Sequence, residues 1–356
     1  MKQTGYIVVA AYLLMMPWAG NIAGARTEQP FYRAQMIFTP DVRYPRCHSS
    51  QIFALRDGGL IAAWWNGSQE AANDLVIRFS RRLPGKVNWE TPQVLADTPD
   101  TTEGNPVFFS TGQDSLWAFY RAGYPWAKIM WMKSGDLGQT WSKPAVFWDK
   151  PGWTLRSRAI RLRNGSIIIP ALSESSAGLS LNRAQTVFIY SEDNGKTWEN
   201  TDLLITDPGN NEAALFQRDD GSLLAYMRPY DESPGDRYLL QSESFDNGRT
   251  WTEPTRNTIP NPSSAIELLK LENGHVVLAF NDSQEMRSPL CLALSLDDGR
   301  TWSYKRVLED AAGRFSYPAL AQSPDGRIHV SYTFRRTHIK HVEINGAWIS
   351  EQSWQD

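Results

Sequence analysis

Ser134-Gly-Asp-Leu-Gly-Gln-Thr-Trp141 is the first of four stretches in this chain that read Ser-x-Asp-x-Gly-x-Thr-Trp. The other three begin at Ser191, Ser244 and Ser295, so successive copies start 57, 53 and 51 residues apart. A period near fifty residues is typical of a ring or array of similar units rather than of one conventional core. The four copies therefore predict a repeat protein.

Each copy is predicted to form a tight hairpin turn. Asp bonds nearby backbone amides and Gly accepts positive φ, which tight turns require. The Thr-Trp pair begins a strand and offers a large ring for packing between units. A calcium loop is the alternative interpretation, but the copies lack a distal Glu and a run of alternating oxygen ligands. Residues 80–89 resemble a fifth, degraded copy.

Short apolar strands and polar turns fill the sequence between the copies, as in Gly58–Trp64 and Gly221–Tyr226. No long amphipathic helical stretch follows residue 25, and each unit offers about four strands in ~50 residues, which matches a propeller blade. Counting from Asp41 gives six units, the last being Phe315–Trp354. The predicted fold is an all-β, six-bladed β-propeller over residues 26–356, with tryptophans packed between blades.

The N-terminal residues have the pattern of a secretory signal. Lys2 precedes an apolar run over residues 6–18, and small residues follow up to Ala25. The run is shorter than the ~20 residues that span a bilayer, so a retained membrane anchor is the lesser alternative. We expect a signal peptide at residues 1–25, a secreted or periplasmic protein, and no stable membrane insertion after cleavage.

Charge and cysteine content exclude several classes of protein. The net charge of −3 and pI near 6.0 give no electrostatic argument for binding nucleic acid or an anionic membrane. Cys47 and Cys291 are the only cysteines, so the chain is not a disulfide scaffold, although the two could pair in an oxidising compartment. Free or structural thiols are the favoured interpretation, because no zinc-ligand spacing surrounds Cys47.

Unusual polar residues recur at matched positions in three units. They are His48, Glu212 and Tyr317, each eight or nine residues before an Asp-Gly turn. In a propeller the innermost strands converge at one end of the axis, so matched positions are predicted to meet there.

This pattern resembles the sialidase (neuraminidase) superfamily, most closely its bacterial branch with BNR repeats, in which the repeated turns are called Asp boxes. Glu212 lies sixteen residues before Arg228, Arg287 lies eight residues before Ser295, and Tyr317 lies in a Phe-Ser-Tyr-Pro-Ala-Leu setting. The resemblance implies a Tyr317 nucleophile, Glu212 as its base, and Arg228 and Arg287 as a clamp for a substrate carboxylate. It implies Asp74 as acid and base, with Glu70 as a rival on the same loop.

One position departs from the family pattern. The family places the first of three clamping arginines where this chain has His48. Arg46 lies on the same strand face as His48, and Arg43 begins an Arg-Tyr-Pro imitation of the family motif five residues earlier. Either arginine is a candidate to compensate, and His48 itself is a candidate site residue.

Other polar residues have both a functional and a structural interpretation. Arg156 and Arg158 share one strand face and either line the substrate cleft or form salt bridges. Asn105 is a site contact or a turn residue. Arg335 or His338 could reach the rim of the site, whereas the spacing of His338 and His341 on a strand argues against a metal pair.

The resemblance implies an exo-acting glycoside hydrolase that releases a terminal acidic sugar from a glycan, with sialic acid favoured. A Tyr nucleophile is a known variant among retaining glycosidases, and it avoids placing a carboxylate against an anionic sugar. Its pKa of ~10 requires a base such as Glu212, and neither metal nor cofactor is expected. The alternatives are a polysaccharide lyase using Tyr317 and His48, a hydrolase of a uronic acid or deoxy sugar, and a non-catalytic glycan-binding propeller.

Overall fold

A computed structural model of the chain describes Met1 and residues 28–124, 126–174, 183–230 and 236–354. The predicted signal peptide therefore lies outside the described residues, apart from Met1. The described chain forms six antiparallel sheets, each with the first strand of its unit at one edge and the last at the other. This agrees with the predicted six-bladed propeller.

The strands follow the chain order of the blades. Blades 1 to 3 comprise β2 (Arg46–Ala54), β3 (Leu60–Gly67), β4 (Val76–Arg82) and β5 (Gln93–Ala96); β6 (Glu103–Gly112), β7 (Ser115–Ala122), β8 (Lys128–Ser134) and β9 (Ala145–Trp148); β10 (Trp153–Leu155), β11 (Ile160–Arg161), β12 (Ile167–Ser173), β13 (Gln185–Ser191) and β14 (Glu199–Asn200). Blades 4 to 6 comprise β15 (Asn210–Gln217), β16 (Leu223–Pro229), β17 (Tyr238–Ser244) and β18 (Thr255–Pro260); β19 (Glu267–Lys270), β20 (Val276–Asn281), β21 (Leu290–Ser295) and β22 (Tyr304–Glu309); β23 (Phe315–Gln322), β24 (Ile328–Phe334), β25 (His338–Ile344) and β1 (Tyr32–Met36).

Blade 6 is closed by a strand from the other end of the propeller sequence. Strand β1 pairs antiparallel with β25, with Tyr32 opposite Ile344 and Met36 opposite Lys340. The sequence analysis counted blade 6 from Phe315 to Trp354 and was wrong about its outer strand. Residues after β25 instead form the short helix α1 (Gly346–Ile349) and lead to Trp354, whose ring stacks on Phe280 of blade 5.

The four Asp boxes are self-contained turns. In the third box, Asp246 Oδ1 accepts hydrogen bonds from Ser244 Oγ (2.9 Å) and Thr250 N (2.9 Å), and Oδ2 accepts one from Thr250 Oγ1 (2.7 Å). Ser244 Oγ in turn accepts the Gly248 N–H, and the other three boxes repeat this network. Because both carboxylate oxygens are bonded within the turn, the hairpin interpretation is confirmed over the calcium loop.

The Asp-box tryptophans pack between blades, as predicted. Trp251 of blade 4 stacks on Phe188 of blade 3 with ring centroids 4.1 Å apart, and Trp302 of blade 5 contacts Tyr226 of blade 4. An aromatic pair of this kind adds ~0.5–1.5 kcal/mol beyond the burial of its area. The ring is therefore stabilised at each of these seams by one large side chain.

The degraded copy at residues 80–89 joins blade 1 to blade 6. Arg82 takes the place of the box Asp, and its Nη1 lies 2.6 Å from Glu343 Oε2 in β25, with both side chains 8% exposed. Beside this ion pair, His341 contacts His329, so it is not paired with His338. The contact between blades 1 and 6, where the box is degraded, is thus stabilised by a buried ion pair.

The two cysteines are buried and free, so the disulfide alternative is not seen. No helix among the described residues is long and apolar enough to cross a membrane.

Candidate active site

Four inner strands begin with a β-bulge that holds a non-glycine residue at positive φ. The bulges lie in β2, β6, β15 and β23. Their positive-φ residues are Ser49 (57°), Asn105 (51°), Glu212 (48°) and Tyr317 (57°). Such backbone strain costs of order 1–3 kcal/mol and is concentrated at functional sites, where a bulge re-aims a side chain. All four bulges lie at the same end of the propeller axis.

The bulge positions show that His48 was wrongly matched to Glu212 and Tyr317. Ser49, and not His48, occupies the bulge position of blade 1, eight residues before Asp57, as Glu212 lies eight before Asp220. A spacing of "eight or nine" could not resolve a one-residue difference, which in a strand changes the face on which a side chain lies. Ser49 Oγ donates instead to Asn105 Oδ1 (2.8 Å), joining the bulges of blades 1 and 2.

His48 nevertheless reaches the site. It is buried, its ring centroid lies 4.0 Å from that of Tyr317, and Nδ1 is 2.8 Å from Thr333 Oγ1. Nε2 has no hydrogen-bond partner among the described residues. Burial, reinforced by nearby arginines of which Arg336 acts most strongly, holds the pKa of His48 well below its ordinary value. The imidazole is therefore neutral and does not supply the missing positive charge.

Glu212, Arg228 and Tyr317 form one hydrogen-bonded group. Arg228 Nη1 donates to Glu212 Oε2 (2.6 Å) and to the Tyr317 hydroxyl oxygen (3.0 Å). The Tyr317 hydroxyl is also within hydrogen-bonding reach of the Glu212 carboxylate. All three predicted residues thus meet, from blades 4 and 6.

The protonation states of this group differ from those of free side chains. Burial raises the pKa of Tyr317, and the adjacent Glu212 charge raises it further, so Tyr317 is a neutral phenol. Burial also opposes ionisation of Glu212, but the charge and hydrogen bond of Arg228 outweigh it and lower the pKa of Glu212. A neutral hydroxyl thus lies beside a carboxylate, which is the arrangement of a nucleophile and its base.

Arg287 lies beside Arg228, as predicted. Its Cζ is 5.5 Å from the centroid of the Tyr317 ring, and Nη2 donates to Ser263 O (3.0 Å). Ser263 Oγ accepts from Arg228 Nε (3.1 Å), so one residue orients both arginines. Ser263 was missed because it lies ten residues before Asn273-Gly274, outside the spacing of eight or nine, and because that turn has Asn in place of Asp.

A cleft of about 650 Å³ opens beside these groups. Its lining includes four arginines and one carboxylate: Arg228, Arg237, Arg287, Arg314 and Glu285. The cleft is therefore locally cationic, although the whole chain has a net charge of −3. Such a cleft favours an anionic ligand.

Arg156 lies beneath the nucleophile candidate. It is 1% exposed, its Nη2 donates to Pro318 O (2.8 Å), and its Cζ is 5.1 Å from the Tyr317 ring centroid. Arg158, predicted as a substrate contact, is not brought to this cleft and lines a different cavity. The alternation of side chains along a strand correctly predicts that Arg156 and Arg158 share a face. It does not predict how far along the propeller axis each residue lies.

The remaining positive charge near His48 comes from Arg336, in the turn between β24 and β25. Arg336 Nη1 lies 2.9 Å from Glu70 Oε2, and its backbone oxygen accepts from Cys47 N (3.0 Å). Arg46 is exposed, and Arg43 pairs with Asp41 at 2.7 Å. The sequence analysis singled out Arg335 and His338 in this segment but missed Arg336, because a turn residue carries no periodic signal.

Asp74 and Glu70 both lie on the exposed loop between β3 and β4. Asp74 accepts hydrogen bonds from Ser68 N (3.1 Å) and Ser68 Oγ (3.0 Å), while Glu70 pairs with Arg336. Thr102 Oγ1 donates to Ala72 O (2.9 Å) and ties the loop to blade 2. Both candidate acids of this loop are thus held in place, Asp74 by hydrogen bonds and Glu70 by an ion pair.

Comparison with known proteins identifies the family and the fold. The BNR repeat-like domain family matches residues 58–330. The chain belongs to the BNR repeat-like family. The predicted resemblance to sialidases is also confirmed, since this BNR repeat-like protein is similar to a sialidase of Micromonospora viridifaciens, with 28% identity over 233 residues. That match covers 61% of this chain and 35% of the relative.

Two further likenesses extend the comparison. A sialidase of Bacteroides fragilis is 26% identical over 326 residues, 79% of this chain and 58% of the relative. The solved Hadza microbial sialidase Hz136 superposes with a TM-score of 0.73 at 21% identity, over 86% of this chain and 67% of that one. The BNR repeat-like chain thus has the sialidase propeller fold, and it spans less than two thirds of the length of these two curated relatives.

Proposed function

We propose that this protein is an exo-acting, retaining glycoside hydrolase that releases a terminal acidic sugar, preferably sialic acid, from a glycan. One observation carries the proposal. Arg228 bridges the Glu212 carboxylate and the Tyr317 hydroxyl at 2.6 and 3.0 Å, beside a cleft lined by four arginines. The sialidase names of the relatives support the same substrate class.

Tyr317 would act as the nucleophile. Its raised pKa keeps the proton on the phenol in the free protein, so attack requires transfer of that proton to Glu212. Because the pKa of Glu212 is lowered, the transfer becomes favourable only as the phenol oxygen bonds to the anomeric carbon. Burial favours this loss of the Glu212 charge, and Arg228, which donates to both oxygens, can stabilise negative charge that develops on the phenol oxygen during the transfer.

The acidic group of the sugar would bind Arg228 and Arg287. Both guanidinium groups face the cleft and are held by Ser263, and the planar fork of Arg fits a carboxylate with two hydrogen bonds. Arg336 would supply the third positive charge, in place of His48. To do so, it would have to break its ion pair with Glu70. Arg46 and Arg43 are the alternatives for that role.

Asp74 would protonate the leaving oxygen and then activate water for hydrolysis of the sugar–Tyr317 bond. Within the described part of the chain, Asp74 is hydrogen-bonded to Ser68 of its own loop, whereas Glu70 forms an ion pair with Arg336, which favours Asp74. Aryl glycosides with a good leaving group need little protonation. We therefore expect Asp74→Ala to lose far more activity on a natural disaccharide than on an activated aryl glycoside, and Glu70→Gln to lose similar activity on both.

The predicted signal peptide supports export of the protein. We propose that residues 1–25 are removed and that the propeller acts outside the cytoplasm. N-terminal sequencing of the protein recovered from the medium or periplasm tests this, since an intact Met1 would contradict it.

The decisive experiment measures sugar release from a panel of sialosides, uronides and rhamnosides. Release of sialic acid is expected, and Tyr317→Phe and Glu212→Gln should abolish it. Tyr190→Phe and Glu199→Gln are matched controls, because this exposed pair makes a similar 2.8 Å hydrogen bond outside the cleft.

Other outcomes would redirect the proposal. Release of a different sugar through the same two residues would preserve the mechanism and change the substrate. Formation of an unsaturated, ultraviolet-absorbing product would identify a lyase. Glycan binding without turnover would identify a binding module.

A further inference from the structure

A second cavity lies at the opposite end of the propeller axis. It has a volume of about 440 Å³ and is lined by the far ends of the inner strands, including Phe53, Phe109 and Phe216. Phe53 follows His48 by five residues in β2, roughly 16 Å of extended strand. The cavity is thus distinct from the cleft beside Tyr317, and its size lies within the range of small-molecule sites.

The lining combines aromatic rings with positive charge. Besides the three phenylalanines it contains Leu215 and Leu268, and it carries four cationic side chains: Arg158, Arg161, Arg163 and Lys270. Apolar walls with a few charged groups favour a ligand that has an apolar body and an anionic end.

Three of the four cations are already bonded to the protein. Arg161 Nη2 donates to Asn194 Oδ1 (2.8 Å), and Arg163 Nη2 donates to Arg218 O (2.8 Å). Lys270 Nζ pairs with Asp219 (2.7 Å) and with Asp298. These three side chains therefore already use hydrogen-bond donors on the protein, although the partners of Arg161 are neutral oxygens.

Arg158 is different. Among the described residues, its guanidinium donates no hydrogen bond and forms no ion pair, and the residue lines the cavity. The nearest compensating carboxylate is the buried Glu267, whose pKa is raised to about 7 by burial, so it is only partly ionised at neutral pH. Among the described residues that line this aromatic cavity, Arg158 is thus the cation whose guanidinium donors are unused.

The geometry points to a binding site for a small organic carboxylate with an aromatic or aliphatic body, held through its carboxylate by Arg158 and through its body by Phe53, Phe109 and Phe216. A single guanidinium with unused donors matches one carboxylate better than two. Its fork geometry matches a planar carboxylate, which can accept two parallel hydrogen bonds. The three rings would cover the apolar body and remove it from water.

The site does not depend on the proposed hydrolase activity. Buried Arg156, which contacts Tyr317 and Pro318, and Glu267, which accepts the Arg158 backbone N–H, lie between the two cavities. A ligand at Arg158 is therefore separated from the cleft by two buried charged side chains.

Calorimetric titration of the full-length protein with 3-phenylpropionate tests the site, with its neutral amide as a matched ligand. We expect binding of the carboxylate, at least about tenfold weaker binding of the amide, and a loss of about tenfold or more in Arg158→Gln. Arg161→Gln, on the same rim but already bonded, and Arg287→Gln, in the opposite cleft, should each change affinity less than about threefold.

Three results would overturn the inference. These are no binding to the unmodified protein at millimolar ligand, equal binding to Arg158→Gln, and loss of binding in Arg287→Gln, which would place the carboxylate in the other cleft. Circular dichroism checks that each variant is folded. If Arg158→Gln does not fold, Arg158→Lys, which keeps the charge but removes the fork, should bind severalfold more weakly, and the amide comparison needs no variant.

Discussion

At one end of the propeller axis, inner strands begin with bulges whose positive-φ residues are Ser49, Asn105, Glu212 and Tyr317. At the other end, each Asp box also has a non-glycine residue at positive φ, as at Asn247 (61°), followed by a glycine at positive φ, as at Gly248 (85°), and it bonds its carboxylate inside the turn. The two ends therefore differ in their polar groups rather than in backbone strain: the bulged end holds buried charges beside a cleft, and the box carboxylates are bonded within their own turns. We expect stability to depend mainly on the box end and the proposed chemistry on the bulged end.

The largest effect expected from this contrast is the loss of turnover in Tyr317→Phe. Removing the hydroxyl removes the proposed nucleophile, so kcat should fall at least about a thousandfold. Because only one hydrogen-bonding group is lost, the free energy of unfolding should change by no more than about 1–2 kcal/mol. Steady-state kinetics and denaturant unfolding of the same preparation measure both quantities. A destabilisation that accounts for the lost activity would contradict the contrast.

A smaller effect is expected for Arg287→Gln. Loss of a charge that binds the substrate carboxylate should lower kcat/KM roughly 30-fold or more. Arg249→Gln provides the comparison, because Arg249 is an exposed arginine of the third Asp box, paired with Glu192. Its kcat/KM should be unchanged. Similar losses in both variants would mean that general positive charge, and not the cleft, recruits the substrate.

Asp246→Ala should lower stability without lowering activity, which is the reverse of the effect expected for Tyr317→Phe. It removes an acceptor that bonds Ser244 and Thr250, so we expect a loss of about 1–3 kcal/mol in the free energy of unfolding. Its kcat/KM should equal that of the unmodified protein at a temperature where both are folded. Reduced catalysis with native stability would show that the box end communicates with the site.

The smallest effect expected is a dependence of stability on acid pH at the box end. Hydrogen bonds from Thr140 lower the pKa of Asp136 to about 2, below its ordinary value of 3.8. A lowered carboxyl pKa contributes stability above the unfolded value and loses it as pH falls through the folded one. The stability difference between the unmodified protein and Asp136→Asn should therefore shrink between about pH 4 and pH 2. A difference that stays constant over this range would refute the assignment.

The repeated, local features of the fold could be predicted from sequence. Four Asp boxes gave the blade period and the inter-blade tryptophans, because turn chemistry and spacing lie within eight residues. The outer strand of blade 6 could not be found this way, since β1 pairs with β25 across the whole sequence. When the outer strand of a blade comes from a distant part of the sequence, no local sequence pattern identifies it.

The grouping of side chains around Tyr317 could be predicted in part. Glu212, Arg228, Arg287 and Tyr317 meet as the resemblance implied. His48 was matched to the wrong bulge position by one residue, and Ser263 and Arg336 lie in turns that no periodicity marks. Arg158 shares a strand face with Arg156 but lies at the other cavity. Depth along the axis depends on how blades pack, and a single strand does not encode it.

The closure of blade 6 also determines when the ring can form during synthesis. Arg33 of β1 reaches its partner Glu343 across 310 residues. At about 5–20 residues per second, ribosomal elongation over that length takes roughly 15–60 s. During that interval β1 is an unpaired edge, open to incorrect pairing with other strands. The docking of β1 on β25 therefore has to wait until β25 has been synthesised.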